Sequence, residues 1–201
     1  MTNIKKEKTL VIIKPDGIQR SLIGEIIKRY EKSGLKLVGI KMITPTPGQI
    51  EKHYLIDPQW KQKTGQNTIN SYLKKGKKPP TADADKMGDF ILKVLKNYLS
   101  SGPVIAMVWQ GMHSASVVRK ITGSTEPCSS DVGTIRGDFT IDSYQIADID
   151  QRAVRNLVHA SGSAEEAEKE IKIWFKPDEL LNYRLINEQI LYDVNLDGIL
   201  E

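Results

Sequence analysis

The chain has a single cysteine, Cys128, among its 201 residues, which excludes an intrachain disulfide framework. No apolar run is long enough to span a bilayer. No secretory signal precedes the first apolar stretch, and no internal repeat or low-complexity linker divides the sequence. These absences point to one domain with a sizeable core, expected in the cytoplasm. Neither a Walker sequence nor a kinase catalytic-loop signature is present. No second histidine or cysteine stands at a ligand spacing from His159, which argues against a metal-dependent hydrolase. The acidic stretch 193–198 lacks the terminal glutamate of a calcium loop, so that reading is set aside. Charge of one sign is also lacking: 29 Lys and Arg oppose 25 Asp and Glu, a net of +4. That balance suits a polyanionic small ligand or weak nucleic-acid contact and establishes neither.

What is present reads as alternating strands and helices. Residues 9–13 form a continuous, largely β-branched run, expected as a buried central strand, and Lys14-Pro15-Asp16-Gly17 ends it in a turn. Ser21 is expected to open a helix closed by Gly34, with Leu22, Ile23, Ile26, Ile27 and Tyr30 on one face. Residues 35–43 alternate as a second strand. Thr46, Pro47 and Gln49 form the start of a helix that carries His53 and Tyr54. Residues 57–84 are rich in Lys, Gln and Asn and are expected as a surface insertion with one short helical piece. A helix over 85–99 should turn Met87, Phe90, Ile91, Val94, Leu95 and Tyr98 inward, and 104–109 should be a third buried strand. A short helix over 114–121 carries Arg119 and leads into a long irregular loop, 124–137, with Thr125 and Arg136. Loops of that length inside a compact domain are more often functional than idle. A second surface insertion falls at 141–152, and 154–158 is expected as the fourth strand. Short helical pieces are expected over 177–181 and 187–192. The order implies an α+β, split βαβ architecture: a four-stranded antiparallel, ferredoxin-like sheet with helices on one face.

His159 ends that fourth apolar run. A Ser/Gly turn follows, and then a helix with Ser163 as N-cap and Glu166 as its capping-box partner. Such a junction points backbone amides at an anion. A histidine there can be a core residue, a metal ligand, or a nucleophile or base. Asn156 lies three residues upstream, and Glu170 on the following helix is an acceptor able to fix the imidazole tautomer and free the other nitrogen. Lys14, Arg119, Arg136 and His159 all fall at element ends or in loops, where convergence would build a cationic pocket around a nucleophile. Phosphoryl transfer needs little beyond positioning and charge neutralisation. His113 is expected to be structural or exposed, as is His53, and Cys128 to be incidental.

Five motifs then resemble the nucleoside diphosphate kinase family in its own order. They are Lys14-Pro15-Asp16-Gly17 with Gln19-Arg20, Lys52-His53-Tyr54, and Ser101-Gly102-Pro103-Val104 through Met107-Val108-Trp109 and Gly111. Gly133-Thr134-Ile135-Arg136-Gly137-Asp138-Phe139 follows, and then Arg155-Asn156-Leu157-Val158-His159-Ala160-Ser161 with Ala167 to Ile171 and Trp174-Phe175. The resemblance implies that His159 takes the γ-phosphoryl group of a nucleoside triphosphate and passes it to a diphosphate. It implies that Lys14, Arg119, Thr125, Arg136 and Asn156 hold phosphates and ribose. Tyr54 would lie beside the histidine and lysine, with Glu170 and Ser161 supporting the imidazole. Mg2+ would be held mainly by nucleotide phosphates, with no protein metal site, and the chain would form a homo-oligomer, a hexamer or tetramer. Three departures stand out. The usual base-stacking phenylalanine is displaced by the first insertion, leaving Trp60, Phe90 or Ile91 as candidates. Gly162 stands where many members carry Asp, and Ala160 where glycine is usual. The alternative function is a catalytically reduced nucleotide- or nucleic-acid-binding protein on the same fold. The basic balance and the run Lys74-Lys75-Gly76-Lys77-Lys78 are its only support; nucleic acid is the less expected partner, and a membrane is not expected.

Overall fold

The structure is a computed structural model that describes residues 4–192; the acidic stretch of the tail lies outside them. Four strands form one antiparallel sheet in the order β2-β3-β1-β4: β1 (Glu7–Ile13), β2 (Lys36–Ile43), β3 (Val104–Gly111) and β4 (Val158–Ala160). The helices are α1 (Pro15–Gln19), α2 (Ile23–Lys32), α3 (Pro47–Tyr54), α4 (Trp60–Lys74), α5 (Ala84–Leu99), α6 (Ser114–Thr122), α7 (Ile135–Phe139), α8 (Tyr144–Ile149), α9 (Ala164–Trp174) and α10 (Glu188–Leu191).

The run 9–13 is apolar on both sides because β1 is covered on both sides. Successive side chains of a strand point to opposite faces, and Leu10 and Ile12 enter one core while Val11 and Ile13 enter the other. All four are fully buried, each contributing roughly 1.5–3 kcal/mol of burial. Ile26 and Tyr30 of α2 and Val118 of α6 pack on the second face. These two crossover helices share one side, as the ferredoxin-like reading requires. The first face is covered as well, by Ile50 of α3, Leu99 of α5, and Ala167, Ile171 and Trp174 of α9.

Several boundaries differ from expectation for local reasons. Thr46 caps α3, its Oγ accepting the Gln49 N–H at 3.1 Å, as its chemistry predicts. Ser21 caps nothing: it is left-handed at φ 57°, and α2 starts after Leu22. The turn after β1 closes into the short helix α1, which Pro15 can begin without losing a bond. The first insertion is not mainly loop but the 15-residue helix α4. It crosses α5 where a Cβ on Gly65 would overlap the Ala84 carbonyl, and one on Gly88 the Lys61 carbonyl. Those two glycines allow backbone-to-backbone contact, which a tally of polar residues along 57–84 does not reveal. On α5, the buried residues are Met87, Gly88, Leu92 and Leu99, while Phe90, Ile91, Val94 and Leu95, with Met87, line a cavity between α4, α5 and the strand ends. The loop 124–137 contains a single 3-10 turn, Pro127–Ser129, before α7 begins. The second insertion carries α8, capped by Ser143.

Candidate active site

The expected strand over 154–158 is mostly not a strand. β4 begins only at Val158, so His159 lies within the ladder, opposite Ile12 of β1. The preceding residues bond elsewhere: Arg155 N donates to Asp142 Oδ2 at 2.6 Å, and the Arg155 carbonyl accepts from Thr140 Oγ1 at 3.1 Å. Leu157 is left-handed at φ 64°, and Val158 N bonds back to the Asn156 carbonyl at 2.7 Å, closing a tight three-residue turn. Such backbone costs of order 1–3 kcal/mol and persists where the surroundings fix it. Here Lys14 N donates to the Leu157 carbonyl at 2.8 Å, and Leu157 N donates to Asp16 Oδ2 at 3.1 Å. The Leu157 side chain is fully buried. The turn after β1 therefore grips the turn before β4 and sets the height of His159.

His159 Nε2 lies 2.9 Å from Glu170 Oε1, and the second carboxylate oxygen accepts from Ser161 Oγ at 2.6 Å. Ser161 in turn accepts the Leu10 N–H at 3.2 Å, which ties the pair to β1. Burial works against a charge on Glu170, but His159 beside it, together with these hydrogen bonds, holds its carboxyl at about 2. An ionised acceptor fixes the proton on His159 Nε2 and leaves Nδ1 with a free lone pair. Nδ1 has no hydrogen-bond partner among the described residues.

His53, expected to be structural or exposed, is buried and stacks edge-on against His159 with ring centroids 4.4 Å apart. Its Nδ1 accepts the Trp174 indole N–H at 3.2 Å. Burial, His159 and Lys14 press its pKa down to about 3 against the raising pull of Glu170, so it is a neutral wall. His53, His159 and Glu170 bring potential ligand atoms within 4.8 Å of one another. Within that cluster Glu170 is taken up by His159 and Ser161, and His53 Nδ1 by Trp174. The only sequence signal for this neighbour was its place in Lys52-His53-Tyr54.

Around the imidazole the expected cations converge. A cavity of about 690 Å³ is lined by Lys14, Tyr54, Arg119, Thr125, Arg136, Asn156 and His159. Glu170 and Ser161 stand behind the histidine rather than on the cavity wall. Lys14 Nζ donates to Asn156 Oδ1 at 2.6 Å and sits 5.2 Å from the Tyr98 ring centroid. Burial and the nearby Arg136 lower its pKa to about 7. Asn156 Nδ2 donates to the Thr125 carbonyl at 2.8 Å, linking the long loop to the floor of the site. Arg136 is buried and donates to the carbonyls of Asn156 (3.1 Å), Gly123 (3.0 Å) and Val158 (2.5 Å). Of a guanidinium's five N–H groups, two remain for a ligand. Arg119 is exposed and makes no such bonds among the described residues.

A family model described as nucleoside diphosphate kinase matches residues 7–76 and 84–180. A nucleoside diphosphate kinase of Pyrobaculum aerophilum is 45% identical over 179 residues, covering 87% of this chain and 98% of that one. The chain belongs to the nucleoside diphosphate kinase family. Nucleoside diphosphate kinase A of Rattus norvegicus is 36% identical, with 93% and 97% of the two chains covered. Among solved structures, an NDP kinase from Pyrobaculum aerophilum superposes with a TM-score of 0.85 at 44% identity, covering 88% of this chain and all of that one. A transition-state mimic of the Borrelia burgdorferi nucleoside diphosphate kinase with bound vanadate and ADP gives 0.78 at 34% identity, with 94% and 99% covered. The activity that comes with membership of the nucleoside diphosphate kinase family is phosphoryl transfer between nucleotides, and the reduced-activity alternative is not favoured. Among the described residues no helix is long and apolar enough to cross a membrane.

One departure from the family pattern, Gly162, has a local explanation. Gly162 N donates to Glu166 Oε2 at 2.7 Å, and a Cβ at 162 would overlap that carboxylate. The expected capping box is thus half-formed: Ser163 Oγ accepts from Glu166 N at 3.2 Å, while the Glu166 carboxylate reaches Gly162 instead of Ser163. Both Gly162 and Glu166 line the cavity, as do Trp60, Phe90 and Ile91, and Trp60 packs on Tyr54 with centroids 5.4 Å apart.

Proposed function

We propose that this chain transfers the γ-phosphoryl group of a nucleoside triphosphate to a nucleoside diphosphate in two half-reactions through a phosphohistidine on His159. The observation that carries this reading is the free Nδ1 of His159, with Nε2 fixed by ionised Glu170, on a cavity that also holds four cationic side chains, Lys14, Arg119, Arg136 and Arg152. In the first half-reaction the Nδ1 lone pair attacks the γ-phosphorus. The bond to the β,γ-bridging oxygen breaks, and the diphosphate leaves with that electron pair. In the second, a terminal β-phosphate oxygen of the acceptor attacks the same phosphorus and the P–N bond breaks. Glu170 stabilises the positive charge that develops on the ring, and Ser161 keeps Glu170 in place. Lys14, Arg119 and Arg136 neutralise phosphate charge, with Thr125 and Asn156 on phosphate or ribose and Tyr54 beside the reacting group. His159, Lys14, Tyr54, Glu170 and Ser161 form the reacting group and its support.

The donor set fits a hydrated Mg2+ carried mainly by the nucleotide: the cavity lining offers only Glu166 and Asp148 as carboxylates, too few for a protein cage. When bound, the ion supplies charge neutralisation on the β- and γ-phosphates. Maintenance of nucleotide pools in the cytoplasm is the role that suits such substrates. Family membership suggests a homo-oligomer, a hexamer or tetramer, and the edge position of β2 with Ile40 and Met42 exposed offers a surface for self-association. The whole chain acts as one catalytic domain, with the segments 57–84 and 141–152 as additions to it.

The test is incubation with γ-labelled ATP and Mg2+ without acceptor, for the wild type and His159→Ala. Acid-labile, base-stable label on the wild type alone, discharged by a nucleoside diphosphate, is the expected result. No label on either protein, with nucleotide binding intact, overturns the reading.

A further inference from the structure

Arg136 faces the cavity, but the element that carries it is short. α7 has five residues, little more than one turn, and a helix of that length does not hold itself. Two of its side chains are anchored inward: Ile135 is fully buried, and Phe139 packs against the same apolar cluster. These contacts fix one face of the turn and leave its ends to be tied from outside.

The tie is Arg29 of α2, which is not on the cavity wall. Its Nη1 donates to the Gly133 carbonyl at 2.9 Å, just before α7. Its Nη2 meets Asp138 Oδ2 at 2.6 Å, near the other end of α7. The flat of the guanidinium lies 4.4 Å from the Phe139 ring centroid. The second Asp138 oxygen accepts the Gly133 N–H at 2.7 Å, so Arg29, Gly133 and Asp138 close a ring around the turn. Gly133 takes φ 90° there, a conformation that favours glycine. A lone surface ion pair is worth little, but here one planar fork commits its edge and its face to three groups at once. The base of the clamp is fixed too. The next residue, Tyr30, is fully buried, and its hydroxyl lies 2.7 Å from Thr122 Oγ1.

We infer that Arg29 is a positioning residue for phosphoryl transfer: by gripping both ends of α7 it sets the direction in which Arg136 presents its remaining N–H groups to the phosphates. Arg136 lies between the two tied ends, and its three carbonyl bonds leave little slack. A small rotation of α7 would break those bonds and turn the guanidinium off the phosphates. This rests on the proposed role of Arg136 and adds the group that aims it.

The test is a double-mutant cycle on Arg29→Gln and Arg136→Gln. Two quantities are read: the rate of phosphohistidine formation at saturating ATP and Mg2+, and the calorimetric dissociation constant of ADP with Mg2+. Arg29→Gln should slow labelling by roughly tenfold, as a displaced positioning group does, and weaken ADP in the same sense. Arg136→Gln should cost more, and adding Arg29→Gln to it should change little, since the clamp then has nothing to aim. Arg29→Lys, which keeps the charge and loses the fork, should fall between wild type and Arg29→Gln. Asp138→Asn opens the same ring from the other side and should slow labelling by less, so the result does not depend on one variant folding. The exposed neighbour variant Lys28→Gln should match the wild type. Losses that add in the cycle, or an Arg29→Gln protein that melts earlier yet reacts and binds as the wild type does, overturn the inference. A wild type that takes no label counts against the catalytic reading alone, and the ADP cycle still decides the role of Arg29.

Discussion

The two ends of the cavity are built in opposite ways. At the phosphate end nearly every polar group is committed within the chain: Lys14 to Asn156, Asn156 to Thr125, Arg136 to three carbonyls, and His159 to Glu170 and through it to Ser161. Lys14 follows β1 and His159 lies in β4, two strands of a sheet buried on both faces, while Arg136 comes from α7 and Glu170 from α9. At the far end the polar groups of α4 are open, and the wall is held by a glycine-mediated helix crossing and an exposed ion pair. The first end has its geometry set before substrate arrives, as phosphoryl transfer by positioning demands. The second is free to vary without disturbing the first. The interlocked polar groups lie around the central sheet, and the open ones lie on the added helices.

The contrast can be broken most strongly at Glu170. Replacement by Gln keeps the size and removes the charge that fixes the tautomer and steadies the imidazolium. The expected outcome is a fall in kcat of roughly 10²-fold, with nucleotide dissociation constants close to wild type. An unchanged kcat removes Glu170 from this role.

A smaller effect is expected from Gly65→Ala. The added methyl meets the Ala84 carbonyl and should cost about 1–3 kcal/mol. Hydrogen exchange should accelerate in α4 and α5 and stay slow in β1 and β4. Uniform acceleration across all four elements would show that the two ends are not separable in this way.

The smallest expected effect concerns protons at Lys14. Its folded pKa, about 7, lies below the ordinary lysine value of 10.5, so in the free protein this group favours folding more as pH rises from 7 toward 10.5. A bound polyphosphate restores the charge. Near pH 8 nucleotide binding should therefore take up part of a proton, and affinity should weaken with rising pH by at most ~1.4 kcal/mol per unit. Calorimetry in buffers of different ionisation enthalpy measures the uptake directly. Zero uptake would mean Lys14 is already charged in the free protein.

Much of this was legible in the residues. The β-branched run 9–13, the Thr46 cap, the Ser163 cap and the order of strands and helices follow from local propensity and period, which need no partner to be read. The phosphate-end residues were named by the resemblance of their motifs to the nucleoside diphosphate kinase family, and the structure lines one cavity with Lys14, Arg119, Thr125, Arg136, Asn156 and His159. What sequence reading missed depends on contact between distant segments. The Ser21 cap failed because the turn packed on β4 decides where α2 starts. The fourth strand shrank because Asp142, Thr140, Asp16 and Lys14 outbid the ladder for the backbone of 155–157. His53 joined His159 only through the packing of α3 against α9.

The sequence by itself determined the central strands β1, β2 and β3, the capped helices α3 and α9 and the family motifs, since hydrophobic period and short motifs are properties of contiguous chain. Only the tertiary structure decided that α4 is a helix facing the cavity and that the two insertions meet across it. That outcome rests on two glycines brought within van der Waals range and on an ion pair between residues far apart in the chain. No local pattern encodes such pairings.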